Sequence, residues 1–233
     1  MIGIIFDCDG TLVDSEQAHL LSWQATLQQF GRVLNVPEYM ALAGQSGTIV
    51  SQKLQQKFQL DSAEEILDHK NKAFEALQKK GMPPVSRTLK FVRQLIERKP
   101  QGIFKLAVAS AASKSEILAH LESLDLLPHL EIIVSGKDDL DDYEDPQGVN
   151  KPQPYIYLHT AKLLGISPSQ CVAFEDSGPG LLAAVRAGMI TFAVPNSITL
   201  HHNFSQASYV IDPQTEIDPD DFFMKIDQAM AVR

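Results

Sequence analysis

Short apolar runs alternating with capped helical segments limit this chain's fold more than any other feature. The runs are Ile2–Phe6, Lys105–Ala109, Ile132–Val134, Cys171–Phe174, Thr191–Val194 and Tyr209–Ile211. Each is too short for a buried helix and most are rich in Val or Ile, so they read as strands. Ser86 opens a helix carrying Leu89, Val92 and Ile96, and Ser113 opens one carrying Ile117, Leu121 and Leu124. Pro152 reads as the first residue of a helix that runs to Leu164 and stops at Gly165. A further helix runs from Gly178 to Ala187 and stops at Gly188, and the last begins at Asp218-Pro219 with Phe222, Phe223, Ile226 and Met230 on one face. This alternation predicts an α/β fold, a parallel sheet with helices on both faces.

Residues 15–83 break the rhythm and contain no convincing strand. Residues 15–30 read as a helix with Asp14 or Ser15 as cap and Gly31 as stop, and residues 47–58 fit a second through Val50, Leu54 and Phe58. Asp61 reads as the cap of a third, with Glu64 completing a capping box and Gly81 ending it. Met82-Pro83-Pro84 looks like a return linker. The predicted division is therefore a core of residues 1–14 and 84–233 and a helical insert of residues 15–83.

At 233 residues the chain suits one core domain with a smaller insert. It has no long uncharged apolar run, hence no membrane-spanning helix, and Met1-Ile2-Gly3 leaves no room for a signal peptide before the first strand. Cys8 and Cys171 both sit in apolar runs and read as reduced core residues of a cytoplasmic protein. The net charge of −9 argues against nucleic acid as a partner. Asp138–Asp145 holds six acidic residues and reads as a solvated loop.

The chemistry lies at the ends of the runs. The first ends in Asp7-Cys8-Asp9-Gly10-Thr11, the second in Ser110, and the Cys171 run in Glu175-Asp176. On an extended chain, side chains two apart point the same way, so Asp7 and Asp9 share a site. Two like charges so close need a cation or a shared proton. That layout suits a metal site, a nucleophile with its general acid, or both. Ligands of a parallel sheet bind at the carboxyl ends of its strands, so these groups converge, and Lys151 reaches the same rim from the helix before the Cys171 strand. Taken singly, Asp7, Ser110 and Asp176 read as turn or cap residues and Lys151 as a surface residue. Together they describe a Mg²⁺ and phosphate site.

In this order the four motifs, Asp7-Cys8-Asp9-Gly10-Thr11, Ser110, Lys151-Pro152 and Glu175-Asp176, resemble those of the haloacid dehalogenase superfamily, in the branch of beta-phosphoglucomutase and sugar-phosphate phosphatases. The resemblance spans essentially the whole chain. It implies a Rossmann-like core with a helical cap domain that closes over the site. It implies that Asp7 attacks phosphorus to form an aspartyl-phosphate, and that Asp9 acts as general acid and then base. Mg²⁺ would be held by Asp7, the Asp9 backbone carbonyl and Asp176, with Glu175 nearby, while Ser110 and Lys151 bind phosphoryl oxygens. Asp9 sets aside the dehalogenases, which lack a second Asp. His19 and Lys70 fall where a mutase has a hinge-side histidine and a cap lysine, which makes both candidate substrate-binding residues. Against the mutase, the loop Gly44-Gln45-Ser46-Gly47 lacks the arginine that grips a second phosphate. The segment before Lys151 also departs from the family, with Asn150 in place of a glycine and an enlarged Asp138–Gly148. The expected function is a Mg²⁺-dependent phosphatase of a small phosphorylated metabolite, acting as a monomer. A phosphoglucomutase is the alternative, and a non-enzymatic phosphometabolite-binding protein the third reading.

Overall fold

In the computed structural model, which describes residues 1–42, 47–98 and 102–231, the predicted strands form one parallel sheet. They are β1 (Ile2–Phe6), β2 (Phe104–Ser110), β3 (Ile132–Ser135), β4 (Cys171–Glu175), β5 (Ile190–Ala193) and β6 (Tyr209–Val210), in spatial order β3-β2-β1-β4-β5-β6. The chain therefore reverses its direction of travel across the sheet between β1 and β4. That is where a doubly wound sheet opens a crevice at the strands' carboxyl ends. The chain divides into two compact units, Met1–Val13 with Pro84–Arg233, and Asp14–Pro83.

The second unit is helical: α1 (Ser15–Gln29), α2 (Val36–Met40), α3 (Gly47–Phe58) and α4 (Ala63–Lys80). Asp14 caps α1 by accepting from Gln17 N–H. The backbone N–H of Asp14 donates to the Pro83 carbonyl at 2.7 Å, so the segment leaves and returns at one point. The cap of α4 is Ser62, not Asp61: Ser62 is extended, and its hydroxyl accepts from Glu65 N–H three residues on, so Glu64 forms no box. The short helix α2, which periodicity does not announce, is held by a capping box between Asn35 and Glu38. Residues 44–46 of the loop without an arginine lie outside the described residues.

In the first unit, α5 (Ser86–Arg98), α6 (Lys114–Ser123), α7 (Tyr155–Leu164), α8 (Gly178–Arg186) and α9 (Pro219–Ala231) accompany the sheet. Phe6, Phe174 and Phe192 are register partners on one sheet face. Their rings stack at 4.9 and 5.2 Å, and Phe91 of α5 and Phe222 of α9 pack against them. The opposite face carries Ile5 between Ala107 and Ala173, a row of mostly small residues in one core with Tyr157 and Ala161 of α7 and Ala183 and Ala184 of α8. Side chains alternate along a strand, so Asp7 and Glu175, two residues beyond Ile5 and Ala173, continue this second row toward α7.

Two expectations change here. Helix α7 starts at Tyr155 rather than Pro152, because Lys151 and Gln153 each precede a proline and are pushed out of the helical region. The acidic segment is not simply solvated. Asp138 accepts from Lys114 N–H and the Ser135 hydroxyl, and Asp139 accepts from Ser135 N–H and the Lys114 ammonium, so the pair ties β3 to the start of α6.

Candidate active site

The turn after β1 fixes the first two carboxylates. Asp7 N–H still donates to the Phe174 carbonyl of β4, while Gly10, at φ +78°, folds the chain back so that its N–H meets the Val13 carbonyl. Gly10 is also the only residue type that fits: a Cβ there would sit 2.2 Å from Asp176 Oδ2. The two motifs, far apart in sequence, are thus in contact, and Thr11 Oγ1 donates to Asp176 Oδ1 at 3.4 Å.

Lys151 lies between two buried carboxylates. Its Nζ is 2.7 Å from Asp7 Oδ1 and 2.6 Å from Glu175 Oε1, and it also donates to the Ala109 carbonyl at 3.2 Å. Three acceptors match the three donors of an ammonium. Burial opposes its charge, but Asp7 and Glu175 outweigh that and raise its pKa. Burial pushes the Asp7 carboxyl up to about 7; Lys151 pulls against this, and Glu175 and Asp9 add to it. Burial, then Asp7 and Glu175, also hold Asp176 well above the usual carboxylate range. Ser110 completes the rim at the end of β2, with its hydroxyl donating to Asp9 Oδ2 at 3.4 Å and accepting from Ala112 N–H.

One oxygen each of Asp7, Glu175 and Asp176 lies within 4.8 Å of the others, a spacing a metal ion could bridge. An all-oxygen donor set suits a hard cation such as Mg²⁺. Asp7 and Asp176 fit this role: both are buried carboxylates whose charged form burial disfavours, and a cation between them would hold them ionised. Glu175 fits it less well. Its Oε1 accepts from Lys151 and Tyr157, its Oε2 accepts from Ser177 Oγ at 3.2 Å, and Gly180 packs so closely that a Cβ there would lie 2.1 Å from Oε2.

His19 and Lys70 belong to the second unit and meet each other there. The His19 ring stacks on Phe74 at 4.2 Å, and the Lys70 ammonium lies over the same ring at 4.4 Å. Lys70 is buried rather than spread over the surface, and burial lowers its pKa while Glu16 opposes the shift. Burial and Lys70 lower His19 to about 4, which keeps its imidazole neutral at pH 7.

Sequence reasoning missed two residues of the site. Asn196 Nδ2 donates to Asp176 Oδ2 at 2.9 Å, while its Oδ1 accepts from Ile198 N–H and Thr199 N–H. Tyr157 donates its hydroxyl to Glu175 Oε1. The only signal for Asn196 was its place just past the β5 run, and Tyr157 looked like any aromatic core residue of a helix.

Comparison with known proteins identifies the family. A family model described as haloacid dehalogenase-like hydrolase matches residues 2–188. A phosphorylated carbohydrates phosphatase of Thermotoga maritima is 30% identical, the match covering 81% of this chain and 82% of that protein. A fructose-1-phosphate phosphatase of Escherichia coli is 28% identical over 80% of this chain and 93% of its own. The crystal structure of a beta-phosphoglucomutase from Clostridium difficile covers all of both chains with a TM-score of 0.66 at 23% identity, which shows the shared fold. Among the described residues, no helix is long and apolar enough to cross a membrane.

Proposed function

The chain belongs to the haloacid dehalogenase-like hydrolases, and we propose that it is a Mg²⁺-dependent phosphatase of a small phosphorylated metabolite, a sugar or polyol phosphate. The observation that carries this reading is the Asp7–Lys151 pair at 2.7 Å beside Asp176, with Asp9 and Ser110 in contact on the same rim. The two relatives named for phosphorylated sugars support the substrate class.

In this reading an Asp7 oxygen forms a bond to phosphorus as the bond to the leaving oxygen breaks. Asp9 gives its proton to that oxygen, then takes one from the water that hydrolyses the aspartyl-phosphate. Asp7, Asp176 and the Asp9 carbonyl would hold the metal. When bound, it supplies positive charge for the phosphoryl oxygens and keeps Asp7 ionised. All three N–H donors of Lys151 have protein acceptors. As Asp7 turns from carboxylate to acyl phosphate, it becomes a poorer acceptor, and the freed N–H turns to the phosphoryl group. Ser110 Oγ, held by Ala112 N–H, offers a second donor. Positioning and charge do most of the work in such a transfer. The enzyme would act as a cytoplasmic monomer.

The test is a panel of phosphate esters assayed with Mg²⁺ and with chelator, alongside Asp7→Asn. Turnover that needs both metal and Asp7 is the expected result, and near-normal rates in Asp7→Asn would sink the aspartyl-phosphate. The His19–Lys70 pair, stacked on Phe74 with Lys70 buried, favours a second reading, a phosphoglucomutase. Conversion of beta-glucose 1-phosphate to glucose 6-phosphate faster than hydrolysis would establish it. No hydrolysis of any ester would favour a binding protein.

A further inference from the structure

Helix α7 brings Tyr157 to the carboxylate oxygen of Glu175 that shares Lys151 with Asp7. Tyr157 is fully buried, and a buried phenol needs an acceptor. Its acceptor is Glu175 Oε1, the same atom that takes an N–H from Lys151. The Lys151 ammonium also lies over the Tyr157 ring, 5.2 Å from its centre. Tyr157 therefore touches both members of the Lys151–Glu175 pair, and filling the core does not require its hydroxyl, since phenylalanine fills nearly the same space.

We infer that Tyr157 is a positioning residue that sets how Lys151 is shared between Glu175 and Asp7. A carboxylate oxygen that accepts two hydrogen bonds holds each less strongly than one that accepts a single bond. The phenol's donation loosens the Lys151–Glu175 bond and leaves the ammonium closer to Asp7. Without the hydroxyl, Glu175 Oε1 has Lys151 as its remaining donor and draws the ammonium away from the nucleophile. Ser177 and Gly180 fix the other side of Glu175, so the carboxylate cannot turn to compensate. The role rests on the reading of Asp7 as nucleophile: the Asp7 oxygen bonds to phosphorus while the leaving oxygen departs with its electron pair and the Asp9 proton.

The test uses Tyr157→Phe in the full-length protein, with an ester that the wild type hydrolyses. The expected result is kcat lower by about tenfold with KM changed by less than about twofold, the range for removing a group that orients a functional residue. In a Glu175→Gln background the same substitution should add nothing further, because the hydroxyl acts only through that carboxylate. A second readout needs no activity: the ¹⁵N and ¹H shifts of the Lys151 ammonium should move in Tyr157→Phe. Wild-type kcat in Tyr157→Phe, effects that multiply in the double variant, or an unmoved Lys151 signal would each overturn the inference. A wild type inert toward every ester would instead overturn the phosphatase reading, and the Lys151 signal would still decide the role of Tyr157.

Discussion

Asp7→Asn should stabilise the metal-free protein while abolishing turnover. Asn keeps an oxygen for Lys151 and nearly the same shape, but it cannot ionise. In the metal-free wild type, burial lifts the Asp7 carboxyl from 3.8 to about 7. A carboxylate raised in this way favours folding below its unfolded pKa, and that advantage is lost as pH rises through the folded value. At pH 8, a shift from 3.8 to about 7 amounts to roughly 4 kcal/mol of lost stability, at about 1.4 kcal/mol per unit. At pH 5 the folded state is protonated and the unfolded chain mostly ionised, so the loss shrinks to roughly 2 kcal/mol. Chemical denaturation in chelator should therefore find Asp7→Asn more stable by about 4 kcal/mol at pH 8 and about 2 kcal/mol at pH 5. Magnesium at about a hundred times its Kd should raise the wild type by about 2.7 kcal/mol and the variant by less. Equal stability in chelator at pH 8, or a gap that ignores pH, would refute the claim that Asp7 is held in an unbalanced, buried carboxylate cluster.

Asn196→Ala should weaken metal binding by about 10- to 100-fold, because it frees Asp176 Oδ2 from its donor; calorimetric titration with Mg²⁺ or Mn²⁺ checks this. Gly10→Ala should cost about 1–2 kcal/mol from its left-handed backbone alone and should also displace Asp176, so unchanged metal affinity would contradict the close approach seen here. His19 is lowered from 6.5 to about 4, so the unfolded chain binds the extra proton in that window and stability falls as pH drops through it, by up to about 3 kcal/mol. His19→Gln should flatten that fall in a pH series of denaturation midpoints, and an unchanged slope would show that the imidazole is not held neutral by burial beside Lys70.

Much of the sheet and most of the candidate site's placement could be read from the sequence, because both follow from local rules. An apolar run that stops at a carboxylate marks a strand end, and parallel strands align their ends, so Asp7, Ser110 and Glu175 meet without any knowledge of their partners. Helix starts were less legible. Ser62 and Asp61 are both good caps, and only the extended backbone of Ser62 decides between them. Pro152 is a good first helical residue, yet a second proline at Pro154 delays α7 to Tyr155. Asn196 and Tyr157 were invisible because their importance lies in what they face. Asn196 reaches Asp176 only because the turn at 196–199 locks its other end, and the Tyr157 hydroxyl reaches Glu175 because alternation carries β4's last side chain to the α7 face. Neither fact has a local pattern.

The electrostatics of the rim set the order in which its ligands can arrive. Asp7, Asp9, Glu175 and Asp176 bring four carboxylates to one region, and Lys151 brings one ammonium whose donors already face Asp7, Glu175 and the Ala109 carbonyl. Interactions between buried charges are much less screened than those in water, so a phosphate dianion entering alone meets net repulsion. Protonation relieves this by neutralising Asp7 or Asp176, which removes the proposed nucleophile or a proposed metal ligand. A divalent cation relieves it while leaving Asp7 ionised. On the phosphatase reading, the cluster that destabilises the metal-free fold is the same one that makes substrate binding depend on the metal. The cost in stability and the gate on the substrate are two consequences of the same four side chains.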